Sequence, residues 1–288
     1  MTRQAIYDRV VAGVLDRLRD GVAPWHQPWA GTVAPCNAVT KRPYSGVNLL
    51  ALGLQGKSPY WMTYKQAQQS GWQVRAGARG VPILFVSRQA SAPVHDETDE
   101  AQRSRVILRQ YHVFNSQDVD GIPPERLAAP VSEWTPLEAA QTLIANVRPV
   151  PVIRHGGDRA YFSPSDDTIT LPPHASFALA DDYAATAFHE LTHWTGHITR
   201  LNRPTLTQAA KFGDANYSDE ELVAEMGAGF LCAMTGVNNQ AMDRSAAYLA
   251  NWLKVLSGSP SLIVKAASQA QRAVDYLAPN ANTAEAGL

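Results

Sequence analysis

The segment DDYAATAFHELTHWT, Asp181 to Thr195, constrains the fold of this chain more than any other, because its apolar and polar residues separate only when wound as a helix. At about 3.6 residues per turn, His189 and His193 stand i and i+4 and stack on one face. This is the spacing with which two imidazoles reach a single cation. Glu190 projects beside them, placed to take a proton from a water that the cation acidifies from about 15.7 towards ~7. The plainer alternative is an ordinary surface helix that carries two histidines. The apolar pattern around the pair and a run of acids further on favour the metal reading.

A catalytic metal site of this kind needs a third protein ligand and an open position. Glu220-Glu221-Leu222-Val223-Ala224-Glu225 begins the next helical pattern, and Glu221 and Glu225 share a face at i and i+4. Either acid fits as the ligand on spacing alone, and all three also suit a helix start, where the macrodipole favours carboxylates. The spacing resembles the gluzincin arrangement, in which the ligand glutamate comes from the next long helix and an acid four residues on holds a ligand histidine. That resemblance implies Glu221 as the ligand and Glu225 as the acid that fixes the ring tautomer, with Glu225 the fallback ligand. His2Glu suits zinc, and manganese or another divalent ion also fits.

His197 lies a further turn on, but Gly196 ends or bends the helix first, which favours a catalytic role for His197 at the cleft rim or in orienting structure over ligation, with a plain polar residue at a helix end as the alternative. Tyr161 and the run Ser165–Pro172 read as a short edge strand able to pair with an extended peptide. There Tyr161 could polarise a carbonyl oxygen or simply pack, and Asp166 and Asp167 read as turn formers.

The formal net charge of −1 hides an asymmetry. Residues 1–90 hold 11 Lys and Arg against 3 Asp and Glu, whereas residues 91–288 hold 14 against 23. A basic front half meets polyanions. No acid occurs between Pro24 and Val94, and aromatic residues alternate with cations there. Trp25, Trp29, Lys41, Arg42, Tyr44, Lys57, Tyr60, Trp61, Tyr64, Lys65, Trp72, Arg75 and Arg79 form this series. Bases stack on aromatic faces while Lys and Arg hold phosphates, which is the chemistry of single-stranded nucleic-acid binding. The residues expected to carry it are Lys41, Arg42, Tyr44, Trp61, Tyr64, Lys65, Trp72, Arg75 and Arg79. A single tryptophan is more often core than platform, so the case rests on the segment as a whole.

Periodic apolar residues predict a first helix over 2–20 closed by Gly21, and a second over Thr63–Ser70. Residues 21–48 read as ordered loop with short strands. Strands are expected at Val81–Ser87 and Arg105–Phe114, paired as a hairpin whose tip is the acidic stretch 89–104. A helix from Pro136 to Arg148 precedes short strands at Pro151–His155, Ala160–Ser163 and Thr168–Leu171. Three helices follow, near Asp181–Thr195, Ser218–Met234 and Ala241–Ser257, and residues 279–288 have the composition of a flexible tail. Two cysteines, Cys36 and Cys232, are too few for a disulfide framework, and no apolar run is long enough to span a membrane. The amino terminus lacks the layout of a signal peptide, so a cytoplasmic location is expected.

Taken together, PWHQPW, NAVTKRPYSGVN, YWMTYKQAQQSGWQVRAGARG, YHVFNSQD, FHELTHWTGHITRLNR and EELVAEMGAGFLCAMTG resemble the ArdC-type antirestriction proteins of conjugative plasmids. The resemblance runs from about residue 4 to 275. It implies an α+β chain of two domains. One is a mixed α/β single-stranded-DNA-binding domain over 1–125; the other is a zincin-like, gluzincin-type metallopeptidase domain over 136–278, after a linker at 126–135. It further implies protection of incoming plasmid DNA from host restriction, with an unidentified protein substrate that includes host restriction proteins among the candidates. The competing expectation is a DNA-coating protein whose metal site is structural or idle. Phosphodiester hydrolysis fits less well, since nucleases draw on carboxylate-rich sites.

Overall fold

The computed structural model describes residues 3–25, 34–89, 105–128, 135–207, 215–238 and 246–279. Expectations for Trp29, the acidic stretch 90–104, most of the linker (129–134) and the tail after 279 lie outside the described residues.

Helix α1 (Arg3–Arg19) closes on Gly21, whose φ of 80° is the left-handed turn that an L side chain resists. It turns Val10, Val14 and Leu18 inward. The front sheet has the order β1-β2-β5-β4, from β1 (Cys36–Asn37), β2 (Tyr60–Thr63), β4 (Val81–Gln89) and β5 (Arg105–Asn115). The expected hairpin is present, with Val81 opposite Val113 and Gln89 opposite Arg105. Helix α3 (Tyr64–Gln69) starts on a capping box, in which the Thr63 hydroxyl takes the Gln66 N–H and the Gln66 side chain takes the Thr63 N–H. A two-stranded ribbon of β3 (Gln73–Val74) and β6 (Val119–Asp120) flanks it.

Two helices differ from expectation. Residues 46–53, at the end of the stretch read as loop, form α2 (Gly46–Gly53), and α9 (Ser261–Leu277) follows the last expected helix. Both tie the halves together. The Asn48 side-chain amide pairs with the backbone of Leu84 in both directions, at 2.7 and 2.9 Å, so it substitutes for a neighbour on the edge strand β4. The Gly46 N–H donates to Gln271 of α9 at 2.8 Å.

The second half begins with α4 (Pro136–Asn146), which carries Pro136 in its first turn and a Thr135–Glu138 capping box. A three-stranded sheet follows in the order β7-β9-β8, from β7 (Val152–His155), β8 (Tyr161–Ser163) and β9 (Thr168–Leu171). This corrects one expectation. Ser165–Pro172 supplies the central strand, flanked parallel by β7 and antiparallel by β8, and the edges are β7 and β8, the latter with Tyr161 on it. The reason is β7, which pairs along the side of β9 that β8 leaves open, with Val152 opposite Thr168 and His155 opposite Leu171.

Helices α5 (Ala180–Thr195), α6 (Pro204–Thr207), α7 (Ala215–Thr235) and α8 (Ala246–Gly258) complete the fold with α9. Small residues let them approach. A Cβ on Gly227 would lie 2.5 Å from Thr192 of α5, and one on Gly229 would lie 2.1 Å from the Trp25 carbonyl oxygen. The largest apolar cluster therefore runs through both halves: Val10, Val14, Trp25 and Leu50 share it with Phe188, Leu191, Leu231, Ile263 and Val274. No helix among the described residues is long and apolar enough to cross a membrane.

Candidate metal centre and basic face

Helix α5 buries Ala184, Phe188, Leu191 and Trp194, which fixes its rotation and turns His189 and His193 toward α7. Across the gap, α7 buries Leu222, Val223 and Met226 and so presents Glu221 to the histidines. The two Nε2 atoms lie 3.1 Å apart, and the Glu221 carboxylate oxygens lie 3.5 Å from each ring. A tetrahedral ion with bonds of about 2.0–2.1 Å sets its ligand atoms roughly 3.3 Å apart. The three donors fit that geometry, and each ligand atom lies within 4.8 Å of the others. Glu190, 6% exposed, lies beside the pair on the same turn.

The acid that holds a ligand histidine is one the sequence reading left unassigned. Glu220 Oε1 lies 3.2 Å from His193 Nδ1; a proton on that nitrogen leaves the Nε2 lone pair for a cation. Glu225, expected in this role, acts electrostatically on His189 and contacts the Tyr248 phenol. Adjacent on α7, Glu220 faces the Nδ1 side of His193 and Glu221 faces the Nε2 atoms of both rings. Arg203, also absent from the sequence reading, is 1% exposed and forks onto Glu220.

Burial disfavours charge throughout this cluster, yet the hydrogen bonds override it. Desolvation opposes protonation of His193, but Glu220 and Glu221 carry its pKa up to about 10. Desolvation likewise opposes ionisation of Glu220, and His193 and Arg203 bring it down to about 2. Glu221 is lowered in the same way by the two histidines. The pocket is thus built to hold positive charge at its centre.

His197 follows the end of α5 at Gly196. Its Nδ1 accepts from or donates to the Thr199 hydroxyl at 2.8 Å, and its ring meets Phe162 edge-on at 6.3 Å, outside the ligand set. Tyr161 is 51% exposed on the edge strand β8. Asp167 is a turn residue and an ion-pair partner of Arg200, which lies 3.8 Å over the Trp194 ring.

The basic half divides into surface and core. Arg42, Tyr64, Lys65 and Arg79 are exposed. Lys41 is exposed too, with its ammonium 4.6 Å over the Tyr60 ring and bonded to the Arg126 carbonyl. Arg75 is exposed but paired with Asp120 at 2.7 Å. Trp61 and Trp72, at 1% and 8% exposed, belong to core clusters and offer no open face to a base, which corrects that expectation. Tyr44 is half-buried, its phenol 3.5 Å from the Asn37 amide, and burial pushes its pKa up. The exposed Tyr64 ring meets Phe114 edge-on at 6.4 Å, and Phe114 is half-buried against the cluster that holds Trp72.

Comparison with known proteins places these features in one family. Residues 4–114 match the profile described as the N-terminal domain of anti-restriction factor ArdC, and residues 138–269 match a zincin-like metallopeptidase profile. Crystal structures of the antirestriction ArdC protein from the R388 plasmid superpose with TM-scores of 0.72 (metal-free) and 0.71 (Mn(II)-bound). Both are 34% identical to this chain, with 96% of it covered and 97% and 98% of theirs. A Sinorhizobium fredii protein, y4eC, is 33% identical over 94% of this chain and 91% of its own length. Two Escherichia coli DNA primases named TraC are 36% and 34% identical over 96% of this chain, which spans only 27% and 20% of their length.

Proposed function

Because this chain belongs to the ArdC antirestriction family, we propose that it protects incoming plasmid DNA from restriction, by binding single-stranded DNA and by metal-dependent cleavage of a protein partner. The observation that carries the peptidase part is the convergence of His189, His193 and Glu221 beside a buried Glu190. A divalent ion there would supply Lewis acidity to a carbonyl and to a water. The chain's own residues do the rest. Glu190 takes the proton of the attacking water and returns it to the leaving amine, so that one peptide bond breaks as one water is consumed. His189 and His193 hold their Nε2 lone pairs inward. The edge strand β8 offers unpaired backbone groups to an extended peptide, with Tyr161 beside it. Zinc and manganese both suit two imidazoles and a carboxylate.

For DNA, the supporting residues are the exposed Arg42, Lys65 and Arg79 and the exposed Tyr64, whose ring meets Phe114. The deciding experiment is Glu190→Gln in the full chain. It should bind Mn(II) and a labelled single strand as the wild type does, and lose any metal-dependent cleavage of casein or of host restriction proteins. Cleavage that persists in the variant overturns the role of Glu190. Antirestriction that survives Glu190→Ala would instead favour protection by coating DNA alone.

A further inference from the structure

We infer that Arg203 is a positioning residue for the metal centre, acting through Glu220 on His193; the inference rests on His189, His193 and Glu221 being the ligands. Arg203 is buried at the end of the loop that leaves α5, and its guanidinium satisfies two sets of partners at once. One set closes α5: Nη1 donates to the Thr195 hydroxyl and Nη2 to the Thr192 carbonyl, both at 2.6 Å. The other is Glu220, with Nη2 to Oε1 at 2.6 Å and Nε to Oε2 at 3.1 Å. Thr205 donates to Oε2 at 2.6 Å, and His193 Nδ1 meets Oε1 at 3.2 Å. Every donor that reaches Glu220 thus helps to fix the direction of the oxygen that His193 faces.

Capping a helix end needs no carboxylate, and a buried ion pair is often matched in stability by apolar residues of similar size. The fork onto Glu220 is therefore better explained by what Glu220 touches. Gly196 shows how closely the guanidinium is seated: a Cβ there would lie 2.7 Å from Nη2 and 2.8 Å from Cζ. The loop is pinned as well, since the Arg203 N–H donates to the Gly196 carbonyl at 3.0 Å. Arg203 thereby connects the loop at the cleft rim to the orientation of one ligand ring.

The test is a cycle of Arg203→Met, Glu220→Gln and the double variant, each titrated with Mn(II) and Zn(II) by calorimetry or chelator competition, with unfolding in EDTA followed alongside. Loss of such a supporting contact weakens metal binding by roughly 10–100-fold. Arg203→Met should show a loss of that size. Glu220→Gln keeps a carbonyl acceptor for His193 and should lose less. The double variant should return to near the Gln variant, because a neutral amide needs no guanidinium partner. A role confined to stability would lower the unfolding midpoint in EDTA and leave the affinity of the folded protein unchanged, which overturns the inference. Should the Met variant not fold, Arg203→Lys keeps the charge without the fork; an affinity within twofold of wild type overturns the inference, and a loss of about tenfold supports it. A wild-type chain that binds neither ion overturns the metal centre itself, a result distinct from either.

Discussion

His193 records the electrostatic purpose of its pocket. Its folded pKa of about 10 lies above the ordinary 6.5, so the interaction stabilises the metal-free protein fully below 6.5 and is lost as pH rises through about 10. Glu220 is displaced the other way, from 4.5 to about 2, so its contribution is present above 4.5 and lost as pH falls through about 2. A cation competes with the His193 proton, and metal binding should strengthen as pH rises. The gap in unfolding midpoint between Mn(II)-loaded and EDTA-treated protein should therefore widen from about pH 5 to about pH 9. A gap that stays constant with pH would remove His193 from the ligand set. The pair His189 and His193 was legible in the sequence because their relation depends only on helical period. Glu220 and Arg203 were not, since their roles arise where a loop closes over two helices and no local pattern encodes that meeting.

Element by element, β2 explains why Trp61 was misread. Alternate strand residues face opposite ways, and a strand with one solvated face would have shown either Trp61 or its neighbours to solvent. Here Tyr60 and Met62 enter one apolar cluster and Trp61 enters another, so both faces are covered. Interleaved aromatic and basic residues cannot reveal that. Tyr64, a residue further into α3, is exposed. Tyr64→Ala should weaken single-strand binding by about 1–3 kcal/mol and leave the unfolding midpoint in place. Trp61→Ala should cost about 3–5 kcal/mol of stability in urea denaturation. The reverse pattern would move the binding surface elsewhere. Helix α9 was missed although its buried face, with Leu262, Ile263, Ala266, Ala270, Val274 and Leu277, recurs at helical spacing, so its period was present in the sequence and was not read. The β4–β5 hairpin was legible from its paired apolar runs, and its register keeps them opposite.

Across the whole molecule, the front half has two small apolar clusters of its own, but the largest cluster is common to both family profiles. Trp25 sits in the cluster shared with the metal helices, its indole N–H 3.3 Å from the Tyr248 hydroxyl and its ring 5.7 Å from Trp252. Its carbonyl lies against α7 where only glycine leaves room. Gly229→Ala drives a methyl into that backbone oxygen, so it should destabilise the protein by about 3 kcal/mol in urea denaturation. An unchanged midpoint would mean that the segment around Trp25 is not seated on α7. Composition alone suggested a basic half beside an acidic one, and the fold shows that this charge boundary is crossed by a continuous apolar interior.

The Trp25 carbonyl on Gly229 has a consequence for cutting the chain in two. A cut made between the halves would leave the apolar cluster they share open on each fragment, so neither fragment should unfold at as high a urea concentration as the full chain. The matching region in the TraC primases spans 96% of this chain inside a much longer polypeptide. In those primases both halves occur within one continuous match, joined as they are here.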